Sequence, residues 1–290
     1  MAGKIRKAVV PVAGHGTRML PATKAVAKEL LTVVDRPLIH YIADEAKEAG
    51  IEHLVFVTGR GKGAIEDYFD HAVELEQALE AKKKTAILED TMSSLLAPGA
   101  SSFTRQQAPK GLGHAIWCAR DIVGDEPFAI LLPDVIVQGP RGCLAQMVDQ
   151  YEDGRNLVAV EAVPEDLVHK YGIVAPKGEI DGALFEMEGM VEKPEASAAP
   201  SNMSIMGRYI LQPEVFSILE KTGKGAGGEI QLTDAMATLM DQQPFFAFQY
   251  EGESHDCGSK LGFLKANIAY ALENDELGAD LKSWVSDRIA

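Results

Sequence analysis

Residues 7–12, KAVVPV, are apolar after the first lysine and run straight into a glycine turn, AGHGTR, at residues 13–18. No other feature constrains the fold as much. A short apolar run bounded by turn residues reads as a strand buried on both faces, the kind found in α/β sheets. The pattern then alternates. Asp35 is placed to cap a helix over residues 37–49, with Pro37 in its first turn and Gly50 as its stop. HLVFV at 53–57 reads as a second strand. A charged helical stretch over 65–84 puts Ala72, Leu75 and Leu79 on one stripe. A strand at 103–107 leads to a helix that opens at Gly111 and Gly113 and runs through 115–122. FAILL at 128–132 is an apolar strand ending at Pro133 and Asp134, and 157–163 is another. Strands alternating with helices predict an α/β fold, Rossmann-like, with a mixed, mostly parallel central sheet flanked by helices.

The second half reads as more broken. Short strands are expected at 173–175, 183–187 and 206–211, and helices at 229–242, 259–273 and 277–289. PEASAAPS at 194–201 is the most loop-like segment. No repeat or low-complexity linker divides the chain. One domain over 1–290 is expected, its parts lying mainly at 1–135, mainly at 136–260 and, as a helical end, at 259–290.

Composition narrows the function. Apolar residues make up 46% of the 290, yet no apolar stretch approaches the roughly 20 residues that cross a bilayer. The apolar run near the N-terminus is too short for a signal peptide. Cys118, Cys143 and Cys257 lack metal-type or redox-type spacing, which fits a reducing cytoplasm. A net charge of −15 argues against nucleic acid and anionic membranes as partners. The first 28 residues oppose that trend, carrying six basic residues and no acid. Arg18, Lys24 and Lys28 among them surround the glycine turn, which suggests a local anion site.

Gly14 and Gly16 let the backbone approach a ligand closely and aim N–H groups at phosphate oxygens. Glycine at alternate positions is weak evidence alone. A dinucleotide site would need a third glycine where Met19 stands, and a helix directly after the turn, where Pro21 intervenes. Arg18 favours a triphosphate, since a guanidinium is a permanently charged fork of donors.

GHGTRMLPATKAVAKELL at 14–31 resembles the signature G-x-G-T-R-x-x-P-x-T-x-x-x-x-K of sugar-nucleotide pyrophosphorylases. LPATK and the pair Lys28–Glu29 resemble the bacterial UTP–glucose-1-phosphate uridylyltransferases. The resemblance continues in DTMSS, FTRQQAPKGLGHA, LLPDV, YGIV, VEKP, GAGGEIQLTDA and HDCGSKLG, in the family's order. Two departures stand out: His15 and Ala27 replace a larger apolar residue and a proline.

The resemblance implies a fold of the nucleotide-diphospho-sugar transferase type, with the nucleotide bound mainly by 1–135 and the sugar phosphate mainly by 136–260. It implies uridylyl transfer from UTP to glucose 1-phosphate with release of pyrophosphate. Ala13, Gly14 and Gly16 would contact the nucleotide. Arg18 and Lys28 would hold the β- and γ-phosphates. Glu29, Gln106 and Gly111 would surround the uracil. Asp134 and Asp256 would bind Mg²⁺. Lys193 would grip the sugar 1-phosphate, Glu192 and Glu229 would accept from sugar hydroxyls, and Gly172 would let the ring approach. The family also implies a homo-oligomer, dimer or tetramer, with the C-terminal helices as the candidate contact. Cys257 has no histidine partner and the reaction needs no covalent enzyme intermediate, so a nucleophile role is rejected. His114 reads as a helix-start residue. The competing expectations are a thymidylyl- or other nucleotidyltransferase on the same fold, a non-catalytic sugar-nucleotide sensor, and the NAD-linked oxidoreductase disfavoured above.

Overall fold

A computed structural model describes residues 4–289. Its centre is a nine-stranded sheet in the order β5-β4-β1-β6-β11-β8-β12-β10-β9. These are β1 (Lys7–Pro11), β4 (His53–Thr58), β5 (Ser101–Arg105), β6 (Phe128–Leu131), β8 (Asn156–Ala162), β9 (Gly172–Pro176), β10 (Leu184–Glu192), β11 (Met203–Leu211) and β12 (Phe245–Gln249). Two small ribbons complete the strands: β2 (Thr32–Val33) with β3 (Arg36–Pro37), and β7 (Val135–Gln138) with β13 (Glu253–Asp256). Parallel pairing links β5, β4, β1 and β6, and again β8 with β12; only β10 and β11 run against the rest. The mixed, mostly parallel α/β sheet is therefore the observed one.

Burial on both faces explains the apolar runs. In β1, Ala8 and Val10 belong to one core and Val9 to the other. The first core is covered by α1 (Leu38–Glu48) and α7 (Cys143–Gln150), through residues such as Ile42, Leu144 and Met147. The second is covered by α5 (Leu112–Trp117), α8 (Val215–Leu219) and α9 (Leu232–Met240), through Ile116, Leu219 and Met236. Helices α2 (Gly63–Tyr68), α3 (Val73–Ala81), α4 (Thr85–Met92), α6 (Arg120–Val123), α10 (Lys260–Glu273) and α11 (Gly278–Ile289) lie around this frame. Among the described residues, no helix is long and apolar enough to cross a membrane.

Several local expectations are corrected. Asp35 caps no helix; it sits in the β2/β3 turn beside Val34, whose φ is 58°, and α1 starts after extended Pro37. The stretch 65–84 is two helices, not one. Phe69 is buried, stacked on Phe56 at 5.2 Å, and Glu76 reaches back to accept from the Ala72 N–H at 2.9 Å, starting α3 afresh. Leu79 is buried but Leu75 is half exposed, so the expected stripe is not a packing face. The helix at 115–122 divides into α5 and α6. The second half is less broken than expected: β10 and β11 each run nine residues. The two parts of the chain are tied together where Glu45 and Glu48 of α1 accept from the backbone N–H groups of Leu144 and Gly142.

Candidate active site

The carboxyl ends of β1, β5 and β6 open on the same side of the sheet, the edge where α/β proteins bind ligands. From β1 the chain enters the glycine turn. No α-helix follows it. Single 3-10 turns at Thr17–Met19, Ala22–Lys24 and Lys28–Leu30 carry it onward, which removes the dinucleotide-type geometry. Gly16 has φ 64°, and a Cβ there would stand 3.0 Å from the Lys28 side chain, so glycine is required for the turn to fold onto Lys28. Gly14 and His15 are exposed, and Ala13 is partly exposed against Gly59.

That fold aims Lys28 at the end of β6. Its Nζ donates to Asp134 Oδ2 at 2.7 Å, and Arg18 Nη2 lies 3.6 Å from the same oxygen. Burial works against charge on both partners. Mutual attraction outweighs it: the Lys28 ammonium is held above its ordinary pKa and the Asp134 carboxyl below its own. Arg18 is the outermost member, its side chain 63% exposed. Asp256 reaches the same place through the β7/β13 ribbon, where it pairs with Val135. The convergence is tight. A Cβ added at Gly258 would lie 2.6 Å from Arg18 Nη2, 2.8 Å from Asp134 Oδ2 and 3.0 Å from Asp256 Oδ1. Arg18, Lys28, Asp134 and Asp256 thus form one cluster. Cys257 beside it is buried, and its thiol is pushed up to about 12 by burial and the two aspartates, which keeps it protonated.

Glu29 departs from expectation. Its carboxylate is wholly buried and turned to Lys62 Nζ at 2.6 Å, so it stands behind the surface rather than lining it. Burial raises its pKa, against the pull of Lys62 and Lys28. Sequence reading passed over Lys62, whose only signal was a lysine between glycines in GRGKG, just after β4.

Gln106 follows β5. Its Nε2 donates to the Gly111 carbonyl and to His114 Nδ1, both at 3.0 Å. His114 is thus an acceptor that orients the amide, a role beyond the helix start expected of it; burial and Lys110 lower its pKa. Gly111 has φ 116°, and a Cβ there would meet the Ile230 carbonyl oxygen at 2.6 Å and Glu229 Cβ at 2.8 Å. Hydrogen bonds from Ile230 N to Lys110 O (2.7 Å) and from Gly113 N to Ile230 O (2.9 Å) lock the two loops together. Exposed Glu229 is thereby set beside Gly111.

The remaining residues gather at the β9/β10 pair, where Gly172 lies opposite Glu192. A Cβ at Gly172 would be 3.3 Å from Glu192 Oε2. Glu192 accepts from Thr233 Oγ1 at 2.7 Å and pairs with Lys193 Nζ at 3.0 Å. Lys193 turns out of β10 with φ 48°. Thr233, in the LTDA run, is a further residue missed in the sequence. Among the described residues, no group of three or more His, Cys, Asp or Glu could hold a metal. The two-carboxylate pair is the relevant candidate, since Mg²⁺ takes one or two carboxylates when phosphates supply the rest.

A family model described as nucleotidyl transferase matches residues 7–273. The UTP–glucose-1-phosphate uridylyltransferase of Bacillus subtilis is 50% identical over 276 residues, 94% of each chain. A UTP-bound UGPase from Acinetobacter baumannii is 46% identical, with a TM-score of 0.89 over 97% of this chain and 98% of that one. A UDP-glucose pyrophosphorylase complexed with UDP-glucose is 39% identical, with a TM-score of 0.83 over 93% of this chain and all of that one. The chain belongs to the nucleotidyl transferase family and, within it, to the UTP–glucose-1-phosphate uridylyltransferases.

Proposed function

We propose that the chain transfers the uridylyl group of UTP to α-D-glucose 1-phosphate, giving UDP-glucose and pyrophosphate. The observation that carries this reading is the single cluster of Arg18, Lys28, Asp134 and Asp256 at the ligand-binding edge of the sheet. Its relatives' names supply the substrates.

An oxygen of the sugar 1-phosphate attacks the α-phosphorus of UTP in line. The new phosphorus–oxygen bond forms as the bond to pyrophosphate breaks opposite it. Two polyanions must meet, so the chief requirements are charge neutralisation and positioning. Arg18 and Lys28 hold the β- and γ-phosphates and neutralise the departing pyrophosphate. Backbone N–H groups of residues 13–16 approach the phosphates. Gln106 and Gly111 take the uracil, with Glu29 holding Lys62 behind them. The pair Asp134 and Asp256 suits Mg²⁺, which when bound lowers the repulsion between the phosphates. Lys193 grips the sugar phosphate, Glu192 and Glu229 accept from sugar hydroxyls, and Gly172 leaves room for the ring. No general base is needed, because the attacking phosphate is already ionised near neutral pH.

The proposed setting is the cytoplasm, which suits the free Cys118, Cys143 and Cys257. Exposed Leu261, Leu264, Ile268 and Leu272 on α10, with Trp284 on α11, suit a homodimer or tetramer. The test of the activity is pyrophosphate release from UTP. It should require glucose 1-phosphate; release without an acceptor, or none with it, contradicts the reading.

A further inference from the structure

Strand β11 is buried along its whole length, yet it carries an arginine. Arg208 has no exposed surface. All five of its N–H groups are used. Nε donates to Glu45 Oε1 at 2.9 Å and Nη2 to Glu45 Oε2 at 2.7 Å, a two-pronged pair reaching across to α1. Nη1 donates to the carbonyls of Leu132 (3.1 Å) and Gly207 (3.2 Å), and the second Nη2 hydrogen goes to the Val135 carbonyl at 2.7 Å. Leu132 and Val135 are the residues on either side of Pro133 and Asp134.

A local break in the strand delivers the guanidinium there. Gly207 has φ 71°, and the register of β11 against β8 shifts between Ile205 and Tyr209. The bulge brings Gly207 so close to β6 that a Cβ would stand 3.0 Å from Leu132 Cβ, and Leu132 N donates to the Gly207 carbonyl at 2.9 Å. Glu45 is tied in turn to the start of α7 through Leu144 N.

We propose that Arg208 is a positioning residue for the reaction: it clamps both ends of the segment carrying Asp134 and so fixes that carboxylate against Lys28 and Asp256. Desolvating such a pair is costly, and buried ion pairs can often be replaced by apolar residues with little loss of stability. Stability alone therefore gives little reason to build one here. A five-point planar clamp does something an apolar contact cannot: it sets the direction in which a short loop presents its one charged side chain. The inference rests on the reading that Asp134 belongs to the catalytic cluster.

Two variants separate this role from folding. Arg208→Lys keeps a charge for Glu45 but offers three donors on a flexible stem instead of a rigid fork. Arg208→Met combined with Glu45→Gln removes both charges while leaving an acceptor for Leu144 N. Each is followed by thermal unfolding and by steady-state kinetics over a Mg²⁺ series. Folded variants are expected to lose about 10- to 100-fold in kcat, the scale of a misplacement of about 1 Å. KM for glucose 1-phosphate should stay within about twofold. The gain in UTP affinity that Mg²⁺ brings, read by calorimetry, should shrink. In an Asp134→Asn background the same substitutions should cost little more, because their effect passes through Asp134. Native kcat in either folded variant overturns the proposal, as does a loss confined to KM, a full additional loss in the Asp134→Asn background, or failure of both variants to fold. Native activity in Asp134→Asn alone instead defeats the reading of the cluster, and is recognisable as such.

Discussion

Lys28 and Asp134 are 106 positions apart in the chain and joined by a 2.7 Å hydrogen bond in the fold. The contact links the glycine turn after β1 to the end of β6. It joins a residue expected to hold phosphate to one expected to hold metal, and Asp256 reaches the same point beside Gly258.

This convergence makes the two aspartates testable as a pair. Lys28 and Arg18 pair with Asp134, and a cation between the two carboxylates would relieve their mutual repulsion. Asp134→Asn and Asp256→Asn keep side-chain size and should leave the thermal unfolding transition in place, while kcat falls about 100-fold or more. A folded variant with near-native turnover removes that residue from the cluster, and full activity in excess chelator removes Mg²⁺ from the mechanism.

Gln106 is held by Gly111 and His114 through its nitrogen, which leaves its oxygen as the acceptor to offer a base. Gln106→Ala should cut kcat/KM for UTP by an amount equivalent to about 1–3 kcal/mol, with a smaller effect on glucose 1-phosphate. Unchanged use of UTP takes Gln106 out of the base pocket.

Lys193 leaves β10 in a left-handed conformation beside Glu192 and Gly172. Lys193→Ala removes a charge partner of one phosphate only. KM for glucose 1-phosphate should rise more than KM for UTP; equal changes in both would point to a role in folding or closure.

Ala27 stands where the family pattern has proline, yet its backbone, φ −59° and ψ 136°, is already one that proline adopts. Restoring the ring should stabilise the fold by about 0.4–1 kcal/mol, through the unfolded chain. A Tm that falls in Ala27→Pro would mean that the loop before Lys28 needs a freedom proline denies it.

What the sequence disclosed follows the range of the forces involved. FAILLPD announced both a buried strand and an acid at its end, because strand burial and the loop after it are local. Asp256 had no such signal; its place depends on β13 pairing with β7 more than a hundred residues earlier, and only the family resemblance pointed to it. The resemblance places Glu29 around the uracil, but Lys62, distant in sequence, draws its carboxylate inward. Arg208 carries no local signal, since its four partner residues are Glu45, Leu132 and Val135 from distant segments and Gly207 at the bulge. The break between α2 and α3 was missed for a different reason. Helical spacing of apolar residues continues across it, while the interruption is a tertiary contact of Phe69 and a backward reach by Glu76.

The pairing of UTP with glucose 1-phosphate is tested most directly by pyrophosphate release across a panel of nucleoside triphosphates and sugar 1-phosphates with Mg²⁺ present. The expected result is that UTP with glucose 1-phosphate gives the highest kcat/KM of any pair. A higher value for dTTP or CTP, or for another sugar 1-phosphate, would contradict it.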